Sequence, residues 1–147
     1  MALSTNDQQR IEELAMKLVE HYNFKRPPVQ IEIVLSNPPE GLSSVDISDM
    51  SLVFGIGEHR YEYRMAMARL LYREICRASA DWEQNYPYSN DASKYFAASL
   101  LVPASWLQKA ARRPLVTLQQ LSEEFQVPDY AIASRLVQMG KRVKGMS

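Results

Sequence analysis

The chain has 147 residues, 46% apolar and 23% charged, which fits one domain with a real core. Seventeen basic and seventeen acidic side chains cancel, so no overall charge selects nucleic acid or a membrane surface. The single cysteine, Cys76, excludes an internal disulfide and a multi-cysteine zinc site. No apolar run reaches the ~18 residues needed to cross a bilayer. The N-terminus lacks a charged segment followed by an apolar one, so no secretory signal and a cytoplasmic location are expected.

Ile11, Leu14, Leu18 and Tyr22 recur at three- and four-residue spacing and predict an amphipathic helix over 7–24. Asp7 is its expected cap, and Pro27 and Pro28 stop it. Residues 30–35 alternate and are rich in β-branched side chains, which predicts a strand. Residues 44–47 and 52–56 predict two more, joined by a turn at 48–51. Residues 58–80 predict a long helix with Tyr61, Met65, Ala68, Tyr72 and Ile75 on its apolar face. Arg60 and Arg64, then Arg69, Arg73 and Arg77, form polar stripes along it.

Ser89 or Asn90 caps the next helix, which runs to Leu101, and Pro103 opens another over 103–112. Two short helices, 117–125 and 129–139, form a hairpin capped by Thr117 and closed by Gly140. The composition shifts near Lys109. Residues 1–108 carry ten basic and fourteen acidic side chains, and residues 109–147 carry seven and three. The expected fold is α+β: a small three-stranded antiparallel sheet packed on helices. The expected organisation is a core over 1–112 and a helix-turn-helix-like hairpin over 113–147 packed on it.

This order of elements meets specific words. Residues 64–73 resemble the stretch that carries His-Glu-x-x-His in ImmA/IrrE-type zinc metallopeptidases. Residues 91–103 resemble that family's Phe-Ala-x-x-Leu-Leu-x-Pro segment, here with Phe96, Ala97, Leu100, Leu101 and Pro103, and Trp106 follows it. Residues 118–136 are similar to its closing hairpin, and Ile11 to Pro28 fits its first helix. The resemblance implies a zincin-like core and action on helix-turn-helix repressors.

The chemistry departs from that pattern. Such a peptidase needs two histidines at i and i+4, a glutamate after the first, and a carboxylate on the next helix. Those positions hold Arg69, Leu70, Arg73 and Ala92. Guanidinium has no lone pair for a metal, and leucine cannot act as a base. The resemblance therefore implies the scaffold without the reaction, and no metal or cofactor is expected.

The other motifs admit two readings each. Arg69, Arg73 and Arg77 are either neutralised by carboxylates such as Asp91, Glu74 or Asp81, or form a surface for an acidic partner. Tyr72, Trp82, Tyr86 and Tyr88 are either core aromatics or anchors for a protein partner. Cys76 with His59 reads as a core thiol rather than a nucleophile. Gly55 and Gly57 read as a turn. Lys141, Arg142 and Lys144 offer a DNA contact, or the hairpin simply packs on the core.

The expected function is a catalytically inactive, metallopeptidase-like regulatory or protein-interaction module of a bacterium or phage. Its expected partner is a helix-turn-helix repressor or stress regulator. The expected cleft holds Arg69, Tyr72, Arg73, Asp91, Trp82, Tyr86 and Tyr88. The alternatives are a hydrolase with an unrecognised site, or a weak DNA-binding regulator acting through the basic hairpin.

Overall fold

The computed structural model describes residues 3–39, 61–78 and 86–146. They form seven helices: α1 (Thr5–His21), α2 (Ile31–Ser36), α3 (Glu62–Ala78), α4 (Asn90–Leu101), α5 (Ala104–Ala111), α6 (Leu118–Phe125) and α7 (Asp129–Gln138). Among the described residues there is no sheet. The β pairing they contain is an isolated parallel bridge between Thr117 and Lys144.

This corrects the α+β expectation and its zincin-like sheet. The segment expected as the first strand is the helix α2. It buries Ile31, Val34 and Leu35, a set spaced i, i+3, i+4, and leaves Ile33 exposed. A strand would have put Ile31, Ile33 and Leu35 on one face. The segment buries a helical stripe instead, packed against α3. The other two expected strands, at 44–47 and 52–56, lie outside the described residues.

Local signals set the helix ends. Ser4, not Asp7, caps α1: the Asp7 N–H donates to Ser4 Oγ at 3.0 Å. Asn23 then turns left-handed at φ 60°, and the Phe24 N–H reaches the Val19 carbonyl at 3.0 Å. Ser89 caps α4 through the Ala92 N–H, and Pro103 stands just before α5. Thr117 and Gln120 form a reciprocal capping box on α6. Gln126 ends α6 at φ 55°.

Gly140 ends α7 at φ 68°, with its N–H on Val137 O at 3.0 Å and the Lys141 N–H on Leu136 O at 2.8 Å. That pair of bonds is the Schellman arrangement, which favours glycine because the left-handed backbone crowds a Cβ.

The helix α4 lies at the centre, packed on α1, α3 and α7. Phe96, Ala97, Leu100 and Leu101 are fully buried there. The pair α6–α7 forms a hairpin whose Leu121, Phe125, Ile132 and Leu136 join the same core. The tail doubles back onto α6, where the Leu118 N–H donates to Lys144 O at 2.7 Å.

Candidate functional site

The helices α3, α4 and α7 enclose a cleft of about 530 Å³. Glu62 and Arg69 reach it from α3, Asp91, Lys94 and Tyr95 from α4, and Tyr130 and Ser134 from α7. The Tyr130 hydroxyl is shared between the two Glu62 carboxylate oxygens at 2.7 and 2.9 Å. Arg69 Nη1 stands 3.9 Å from the same carboxylate. This network ties α7 to α3 across the cleft.

Burial and the Glu62 carboxylate push the Tyr130 pKa up to about 12, and burial and Glu12 do the same for Tyr95. Both groups are neutral phenols at physiological pH and act as hydrogen-bond donors, not bases. The Tyr130 hydrogen is committed to Glu62 and the Tyr95 hydrogen to Glu12, so the cleft offers two carboxylates, two cations and the acceptor lone pairs of two phenols, an arrangement suited to polar main-chain and side-chain groups.

Of the expected cleft residues, the structure brings Arg69 and Asp91 together here. Leu70 is half-buried, Arg73 is exposed and Ala92 is fully buried in the core. Arg69 pairs with Glu62 rather than with Asp91 or Glu74, and Glu74 pairs with Arg77 at 3.3 Å.

The aromatic candidates gather elsewhere. Tyr72 is fully buried, donates its hydroxyl to Pro87 O and packs against Phe96 and Tyr88 with ring centroids 5.0 and 6.3 Å away. Tyr88 is exposed, and Tyr86 lies under the Arg10 guanidinium at 5.1 Å. Trp82 and His59 lie outside the described residues. Burial raises the Cys76 pKa against a smaller lowering by its hydrogen bond with Tyr72, as befits a packing thiol. Among the described residues, no group of three or more His, Cys, Asp or Glu side chains is placed to hold a metal ion.

Two arginines are buried: Arg64, placed by the sequence on a polar stripe, and Arg135. Arg64 is 2% exposed; its Nε donates to Gln126 O at 2.9 Å and Nη2 to Val29 O at 2.5 Å, with Glu32 3.7 Å away. Arg135 is 1% exposed; its Nε donates to Val102 O at 3.0 Å and its two Nη atoms fork onto Glu12. Arg135 is therefore turned into the core and does not face a DNA groove. Arg64 bonds Gln126 O after α6 and Arg135 bonds Val102 O after α4, at helix C-termini where acceptors are left over. No sequence pattern distinguished them from the exposed Arg73.

No helix among the described residues is long and apolar enough to cross a membrane. No family model, no curated protein and no solved structure matches the chain.

Proposed function

We propose that the chain is a non-catalytic protein-interaction module acting in the cytoplasm, related to ImmA/IrrE-type peptidases, whose α3–α4–α7 cleft takes a segment of a regulatory protein. One observation carries the reading. Arg69, at a position where the resembling peptidases hold a metal-binding histidine, lines the same cleft as Asp91, Lys94, Glu62 and Tyr130. Alternating charges in a concave site complement an extended peptide, which presents donors and acceptors along its whole length. Guanidinium at 69 cannot ligate a metal, so the residues present favour recognition over hydrolysis. The partner the resemblance suggests is a helix-turn-helix repressor or stress regulator.

The test is site-specific photo-crosslinking. A photoreactive amino acid replaces Lys94 in the cleft, or Gln108 on the exposed side of α5 as a control. The expected result is one discrete partner segment captured from Lys94, not from Gln108, and lost in Arg69→Ala. Metal content is measured on the same preparations. Stoichiometric zinc together with peptide cleavage overturns the proposal, as does capture that Arg69→Ala leaves unchanged.

A further inference from the structure

A second concave site is built from two segments far apart in sequence. The loop between α1 and α2 supplies Lys25 and Arg26, and α5 with the residues after it supplies Trp106, Lys109, Arg112 and Arg113. They line a recess of about 640 Å³. Five cations meet one carboxylate there, Glu124, and Arg113 is paired with it. Lys25, Arg26, Lys109 and Arg112 form no ion pair among the described residues, and all four are exposed. In a chain of zero net charge this is a strong local concentration of positive charge.

Trp106 is half-buried and forms part of the wall. An indole beside uncompensated cations is the chemistry that holds a nucleotide: phosphates meet the cations, and a base stacks on the ring. A recessed ring accepts a base that is free of its own stack, which a single strand supplies and a duplex does not. An acidic peptide would meet the same cations but brings no nucleobase to stack on the indole.

We propose that this recess binds the phosphates and bases of single-stranded nucleic acid, separately from the α3–α4–α7 cleft and independently of the function proposed for it. The four unpaired cations neutralise the strand, and Trp106 stacks on a base.

The experiment measures the anisotropy of a short fluorescein-labelled oligothymidylate titrated with the full chain over a range of salt. Four phosphate contacts on a single strand give a log–log salt slope of about −3. Trp106→Ala is expected to weaken binding about tenfold or more, the effect of losing one stacked base. Lys25→Glu with Arg112→Glu abolishes binding while thermal unfolding stays unchanged, because both side chains are exposed.

The chain has two tryptophans, so Trp82→Phe leaves Trp106 as the reporter, and its fluorescence is quenched on binding. Equal affinity for the matching duplex, for thymidine monophosphate or for a poly-glutamate peptide overturns the proposal. So does binding that Trp106→Ala leaves intact, or the absence of binding at low salt.

Discussion

Arg135 and Glu12, 123 positions apart in the chain, meet as a two-pronged pair, with Nη1 on Oε2 at 2.7 Å and Nη2 on Oε1 at 3.0 Å. Arg135 also holds the Val102 carbonyl at the end of α4, so one guanidinium joins α7, α1 and α4. Arg135 is 1% exposed and the Glu12 side chain 31%, so losing the arginine leaves the carboxylate partly hydrated but removes a large buried side chain and the donor to the Val102 carbonyl. Arg135→Ala is expected to lower stability by about 2–5 kcal/mol, the range for truncating a large buried side chain, read from the urea unfolding midpoint. Arg135→Lys recovers little of that, because an ammonium cannot fork onto both oxygens and the carbonyl together.

The same pair sets an acid limit. Burial raises the Glu12 pKa, but the hydrogen bonds and charge of Arg135, with the Tyr95 hydroxyl, pull it below its ordinary value of 4.5. A lowered folded-state pKa means stability that is present above the unfolded value and is lost as pH falls through the folded one. The urea midpoint is expected to drop as pH is taken below 4.5, and Glu12→Gln is expected to flatten that part of the profile. An unchanged acid limb in Glu12→Gln would show that other carboxylates dominate.

The alkaline side follows from the phenols. Burial raises the pKa of Tyr72, and raises Tyr95 and Tyr130 to about 12, from an ordinary 10.0. The folded state holds these protons more tightly than the unfolded chain. The contribution of Tyr95 and Tyr130 is complete below pH 10 and is lost as pH rises toward about 12, and that of Tyr72 persists to higher pH still. Phenolate absorbance is expected to rise late for these residues and together with loss of helical circular dichroism. Tyr130→Phe is expected to leave Tyr72 and Tyr95 titrating late and to remove the link to Glu62.

Helix ends were the most legible part of the chain. Thr117, Ser89, Pro103 and Gly140 each carry a local signal that needs no tertiary partner, and each stands at a boundary; at the start of α1 the cap is Ser4 and not the expected Asp7. The six residues of α2 were illegible for the opposite reason. Ile31, Ile33, Val34 and Leu35 satisfy both a strand and a helical pattern, and packing on α3 decides which set is buried. The cleft was legible only in Arg69 and Asp91. Two of its other groups, Glu62 and Tyr130, are 68 positions apart and meet only through the packed helices.

Arg64 makes the test of that last point, because its neighbours Arg60 and Arg69 look identical to it in sequence. Its guanidinium closes the Val29 carbonyl before α2 and the Gln126 carbonyl after α6. Removing it takes the arginine donor from the Gln126 carbonyl and one of two donors from the Val29 carbonyl, which also accepts from the Ile31 N–H at 3.0 Å. A buried acceptor left unpaired costs about 1–3 kcal/mol. Arg64→Ala is therefore expected to be strongly destabilising, whereas Arg73→Ala, at an exposed position, is expected to change stability by no more than about 0.5 kcal/mol.

Gly140 isolates a backbone effect from packing. A Cβ built there meets nothing within 4 Å, yet φ is +68°. Gly140→Ala carries no steric clash with neighbouring atoms and is expected to cost about 1–2 kcal/mol, from the left-handed backbone alone. Gly140→Asn is expected to cost less, because asparagine tolerates that region. Gly145 provides the contrast: φ is +93° and an added Cβ would stand 3.2 Å from Leu118 Cβ. Gly145→Ala therefore adds crowding to backbone strain and loosens the tail from α6. Thermal unfolding of the three variants is expected to rank Gly140→Asn above Gly140→Ala above Gly145→Ala. A Gly145→Ala variant as stable as Gly140→Asn would show that the tail moves aside without cost.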